Sequence, residues 1–148
     1  MPRTLAGLVF LVALLAAGPA VGASAYFTDD GAAIRGYDPV AYFEAGEPVE
    51  GTPEHSLQWG GVTWHFASAA NRAAFAAEPQ RYAPQYGGYC AYAVAKGDLV
   101  SVDPHAWSIV DGKLYLNYST SVQRRWQQDI PGYIAQADAE WPELDPAR

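Results

Sequence analysis

The sequence predicts a small single-domain α+β fold: two β-hairpin-plus-helix units followed by a C-terminal helical segment. Three observations predict it. Residues 55–66, "HSLQWGGVTWHF", alternate apolar and polar side chains on both sides of Gly60-Gly61, which is the pattern of a tight hairpin. Residues 106–118, "AWSIVDGKLYLNY", repeat it around Asp111-Gly112. Each hairpin is followed by a hydroxyl residue placed to cap a helix, Ser68 in the first case and Ser119 or Thr120 in the second.

Taken in order, Tyr26 to Arg35 is polar and reads as an extended lead-in. Asp38 is a good N-cap and Pro39 a good first helical residue, so a short helix is expected over 38–44, ended at Gly46. Two prolines and a glycine make Glu47 to Pro53 a loop. In the first hairpin Leu57 and Trp59 share a face. Val62, Trp64 and Phe66 share one on the second strand, with Thr63 and His65 opposite. The alanine-rich stretch after Ser68 reads as a helix stopping near Pro79, with Phe75 on the face that returns to the hairpin. A helical turn is expected at Pro79 to Tyr82, broken by Pro84 and Gly87-Gly88, then a short helix or buried turn over "YCAYAVA". After the second hairpin, Pro131 restarts a final helix through Trp141 and Pro142 ends it. Trp64, Phe66, Phe75 and Trp126 are the expected core.

Composition bounds the function. The 148 residues carry a formal charge of −7 and a single cysteine, Cys90. Net negative charge repels phosphate backbones and anionic lipid, which argues against nucleic acid and against a polybasic membrane contact. Residues 1–25 have the form of a signal peptide: Arg3, an apolar run from Leu5 to Ala17, then Ala23-Ser24-Ala25 before an expected cut at Tyr26. That run is short for a membrane span. The expected location is the periplasm or the exterior, with an uncleaved N-terminal anchor as the alternative. Residues 26–148 then form one domain, too poor in cysteine to be a disulfide-stapled scaffold.

The segments "GYDPVAYF", "WGGVTWHFASAANRAAFAAEPQRYAPQYGGYCAYAV" and "DPHAWSIVDGKLYLNY" resemble the exported YHS domain-containing proteins of bacteria, over about residues 37–142. The wider YHS group resembles treble-clef-like metal modules, in which one cysteine follows Asp-Pro-Val and two more, four apart, open the helix after the hairpin. The resemblance places those positions on Ala41, Ala67 and Asn71. Alanine offers no donor and asparagine a weak one, so the resemblance implies the frame and an envelope location rather than that metal site.

Cys90 has three readings. The first is a small apolar core residue hidden from oxidation among Tyr86, Tyr89 and Tyr92. The second is a ligand, with His65 and His55, for a copper or zinc ion. The third is a nucleophile or redox thiol activated in the first turn of a helix. His105, between Pro104 and Trp107, reads as a surface loop residue. Five tryptophans and ten tyrosines supply rings for a core and for a cleft. The candidate cleft gathers Tyr86, Gly87, Gly88, Tyr89 and Tyr92, where glycine permits close approach of a ligand or of another strand. The expected function is a non-enzymatic envelope module binding a metal ion or a small ligand. The alternatives are a structural or interaction domain with an envelope partner, or a cysteine-dependent enzyme or redox protein.

Overall fold

Tight hairpin turns with two positive φ angles match the right-handed twist of the strands they join, and both predicted turns have them. Gly60 and Gly61 sit at φ 61° and 80°, Asp111 and Gly112 at 50° and 73°. The computed structural model describes residues 24–148; of the leader read at 1–25, residues 1–23 lie outside the described residues. Among the described residues no helix is long and apolar enough to cross a membrane.

Strand β3 (Thr52–Trp59) pairs antiparallel with β4 (Val62–Phe66), and β5 (Asp103–Val110) pairs with β6 (Lys113–Asn117). The two registers are copies. Trp59 faces Val62 and Val110 faces Lys113, and each ladder then jumps, from Ser56 to Thr52 and from Trp107 to Asp103. Every residue of the second hairpin therefore stands 51 positions after its counterpart. The helices continue the copy. Ser68 Oγ accepts from Asn71 N at 3.1 Å at the head of α2 (Ala69–Ala77), and Ser119 Oγ accepts from Val122 N at 3.1 Å at the head of α5 (Thr120–Trp126).

Each half also opens on the same unusual turn. Ile34, Arg35 and Gly36 have φ of 50°, 53° and 84°; Tyr86, Gly87 and Gly88 have 55°, 62° and 77°. Three left-handed residues in a row are rare because Cβ crowds the following carbonyl. Tyr37 N and Tyr89 N close the two turns at 3.0 Å on the carbonyls of Ile34 and Tyr86. A short helix follows each, α1 (Ala41–Glu44) and α4 (Ala91–Ala95). The duplicated layout expected from the hairpins thus extends over most of the domain.

The core has two parts: the first also draws Cys90, Leu114 and Leu116 from the second half, and the other is built from the second half alone. Trp64, Phe66 and Phe75 are fully buried in the first, with Trp64 and Phe75 rings 4.9 Å apart. Trp126 and Tyr115 fill the second, 5.4 Å apart. The last helix, α6 (Ile130–Leu144), is capped by Asp129, whose Oδ1 accepts from Gly132 N at 3.1 Å, and covers the second part.

Five sequence expectations change. The lead-in is not simply extended: it folds as a small hairpin of β1 (Thr28–Asp29) and β2 (Ala32–Ala33), and Ala32, Ala33 and Ile34 are buried. The helix expected over 38–44 starts at Ala41, because the Asp38 side chain bonds Val40 N and Ala41 N ahead of it. Strand β3 begins at Thr52, inside the expected loop. His105 lies on β5, not in a loop, though it is exposed as expected. Helix α6 passes through Pro142; so near the helix end the proline forfeits one hydrogen bond in the last turn, which the chain tolerates. The helical turn expected at residues 79–82 is α3 (Pro79–Tyr82).

Candidate functional site

Two places concentrate polar chemistry on this frame: the buried helix heads at Asp38 and Cys90, and the cleft beside the Tyr86–Gly88 turn.

Asp38 is wholly buried. A buried carboxylate is stable only when its oxygens are bonded, and four donors meet it. Oδ1 accepts from Val40 N at 2.8 Å and Ala41 N at 3.3 Å. Oδ2 accepts from Ala67 N and Asn71 Nδ2, each at 2.8 Å. The three positions that the YHS resemblance assigns to cysteines, Ala41, Ala67 and Asn71, therefore gather around one carboxylate.

Cys90 is 1% exposed. Its sulfur accepts from Tyr118 N at 3.3 Å and donates its proton to Asn117 Oδ1 at 3.5 Å. Burial pushes the thiol above its ordinary range, against the opposing pull of the Ala93, Tyr118 and Tyr92 amides. The thiol is thus neutral and hidden, which is the first of the three readings.

The histidines do not join it. His65 alternates with the buried Trp64 and Phe66 on β4, so it points away from the face that packs on Cys90. It lines a separate cleft of about 210 Å³ with Asp29, Asp30, Arg35 and Glu50. His55 sits in the β3 bulge between Thr52 and Ser56. Among the described residues no group of three or more His, Cys, Asp or Glu side chains is placed to hold a metal ion. Cys90, His65 and His55 are therefore not one ligand set, because strand alternation separates core from surface.

The larger cleft, about 430 Å³, lies where the sequence pointed but with a different lining. Tyr86 and Gly87 line it; Gly88, Tyr89 and Tyr92 do not. Gly88 packs on the Pro84 ring. Tyr89 lies between Phe27 and Trp141, at 5.4 and 6.3 Å. Tyr92 meets Tyr133 edge-on at 5.2 Å, with the Lys96 ammonium over both rings. The added walls include Gln80 and Gln85 from just before the turn, and Tyr26, Trp141 and Asp145 brought in from distant parts of the chain. Tyr86 is fixed by its hydroxyl, which donates to Asp138 Oδ1 at 2.8 Å; burial first and Asp138 second raise its pKa far above the ordinary phenol.

The close approach that Gly87 permits is made by the chain itself. Phe27 N donates to Gly87 O at 2.8 Å, and a Cβ on Gly87 would stand 1.7 Å from the Ala25 carbonyl oxygen. Residues 24–27 are pinned there: Ser24 Oγ donates to Gly60 O at 2.8 Å, and the Tyr26 ring lies 5.2 Å from Trp64. Sequence periodicity could not find Trp141 or Asp145, since their partners are more than fifty residues away. No family model matches this chain, and neither a curated protein nor a solved structure does.

Proposed function

We propose that the chain is an exported, non-enzymatic module on a YHS-like frame that binds a small ligand in the cleft beside the Tyr86–Gly88 turn. One observation carries this reading: a cleft of about 430 Å³, walled by Tyr26, Tyr86 and Trp141, with polar groups from Gln80, Gln85 and Asp145. That volume suits a small-molecule site, and a mostly polar lining between aromatic walls suits a polar ligand. The gathering of Ala41, Ala67 and Asn71 at Asp38 supports the YHS-like frame. Arg3, the apolar run and Ala23-Ser24-Ala25 support export. The raised pKa of the buried Cys90 thiol favours binding over cysteine chemistry. The separation of Cys90 from His65 and His55 favours an organic ligand over copper or zinc.

The test is a fragment screen on the 15N-labelled protein. Bound fragments should shift the amide of Gly87 and the indole of Trp141. Elemental analysis with native mass spectrometry, on wild type and Cys90→Ser, should find no stoichiometric copper or zinc. One metal per chain, lost in Cys90→Ser, would restore the metal reading; shifts confined to surface sites elsewhere would remove the cleft.

A further inference from the structure

Among the described residues one charged side chain lines the larger cleft, and it is a carboxylate: Asp145 stands there among Tyr26, Tyr86, Trp141, two glutamines and small residues, with no described lysine, arginine or histidine. Asp145 Oδ1 accepts from Ala147 N at 2.8 Å, and no ion pair to it occurs among the described residues. The rings are set at angles to one another: Tyr86 and Trp141 lie 6.1 Å apart at 60°. Ring faces carry negative potential, and an ammonium group is attracted to several faces and a carboxylate at once. Asp145 also acts on the cleft ring of Tyr26, whose pKa is raised by burial first and by the Asp145 charge second.

Resting on the cleft reading above, we infer that this is an ammonium site, in which an organic cation seats against Tyr86 and Trp141 with its charge balanced by Asp145. Two sources carry that chemistry. One is a free amine or quaternary ammonium ligand. The other is the α-ammonium that Tyr26, itself a wall of the cleft, gains if the chain is cut after Ala25.

The experiment titrates choline and its uncharged carbon isostere, by NMR and calorimetry, into two forms of the protein: one beginning at Tyr26, the other keeping Ser24 and Ala25. Choline is expected to bind, the isostere to bind at least tenfold more weakly, and Asp145→Asn to lower choline affinity about tenfold. Binding to both forms identifies a free cation as the occupant. Binding only to the form that keeps Ser24 and Ala25 identifies the Tyr26 ammonium as the occupant; the ammonium inference then stands while the ligand-module reading falls. Equal affinity for choline and the isostere, or indifference to Asp145→Asn, overturns the ammonium inference and leaves the ligand reading intact. No binding of either compound to either form overturns the ammonium inference, and the fragment screen then decides the ligand reading alone.

Discussion

The sulfur of Cys90 holds, in the second half of the chain, the place that the Asp38 carboxylate holds in the first. Asp38 N donates to Val49 O and Cys90 N to Val100 O, both at 2.9 Å. Asp38 takes the amides of Val40, Ala41 and Ala67; Cys90 faces those of Tyr92, Ala93 and Tyr118. Such a cradle of amides needs an acceptor at each helix head. The first half adds a fourth donor, Asn71, and holds a carboxylate. The corresponding residue in the second half, 51 positions on, is Val122, whose side chain has no donor. A neutral thiol, donating a hydrogen bond to Asn117 Oδ1, meets that weaker demand. This gives the lone thiol a structural role: it ties Tyr118 N to Asn117, whose Oδ1 in turn accepts from Tyr92 N at the head of α4 at 3.1 Å.

Removing the stronger cap should therefore be costly. Asp38→Ala strands two helix-head amides, Ala67 N and Asn71 Nδ2 in a buried site, and is expected to cost about 3–5 kcal/mol in urea unfolding. Asn71→Ala removes one charge-assisted bond and should cost about 1.5–3 kcal/mol. A loss below about 1 kcal/mol for Asp38→Ala would mean that the network does not hold the two elements together.

Alkaline pH should weaken the fold. The Cys90 thiol is raised above its ordinary 9.0, and the Tyr26, Tyr42, Tyr86, Tyr89 and Tyr115 phenols above 10.0, with burial the largest cause throughout. As pH passes those ordinary values the unfolded chain ionises first and binds fewer protons than the folded one. Stability is then fully present below about pH 9 and falls as pH rises, by roughly 1.4 kcal/mol per unit per group once each is engaged. Denaturant midpoints from pH 8 to 11 should fall first through the thiol and then more steeply through the phenols. Cys90→Ser should lack the first, shallow part. A wild-type midpoint that stays level up to pH 10 would contradict a raised thiol.

The parts of this fold that were legible in the sequence are those governed by local chemistry. Gly60-Gly61 and Asp111-Gly112 fixed both turns, and Ser68 and Ser119 both helix starts, because each depends on residues a few positions apart. The same rule was available at Asp30-Gly31, whose φ angles of 52° and 78° make the β1–β2 turn; the flanking alanines gave too weak an alternation to show it. The left-handed turn at Ile34 and Arg35 was hidden for another reason: neither residue favours positive φ, and tertiary packing imposes it. In the cleft, Tyr86 and Gly87 were marked by glycine and aromatic density. Trp141 and Asp145 were not, because their placement follows from how α6 docks. His65 and Cys90 looked compatible as ligands until strand alternation put them on opposite sides.

The two core tryptophans should respond differently to the same substitution. Trp64 and Trp126 are both fully buried, and truncating either to alanine is expected to cost about 3–5 kcal/mol. Trp64 Nε1 donates to Trp59 O at 2.9 Å, whereas Trp126 Nε1 has no partner among the described residues. An unpaired buried donor costs about 1–3 kcal/mol, and the counterpart of Trp126 in the first half is Phe75. Trp126→Phe should therefore be milder than Trp64→Phe by about 1–3 kcal/mol in urea unfolding. Equal losses would mean that the Trp126 indole is bonded after all, for instance to a buried water.

The N-terminal segment offers the last test, because Gly87 responds to whether Ala25 is present. With Ala25 in place, a Cβ at Gly87 would lie 1.7 Å from its carbonyl oxygen, and a backbone atom cannot yield as a side chain does. Without Ala25, alanine at this position meets chiefly the strain of φ 62° and the edge of Trp141 at 3.3 Å, about 1–2 kcal/mol for the left-handed conformation. On the proposed export, N-terminal sequencing of the protein isolated from its host should begin at Tyr26. In that form Gly87→Ala should cost about 1–2 kcal/mol. In a form that keeps Ser24 and Ala25 it should cost clearly more, and the amides of residues 24–27 should lose hydrogen-exchange protection as the segment lifts away. Equal losses in the two forms would show that Ala25 does not rest on Gly87, and an intact Met1 on the isolated protein would remove the processing that distinguishes them.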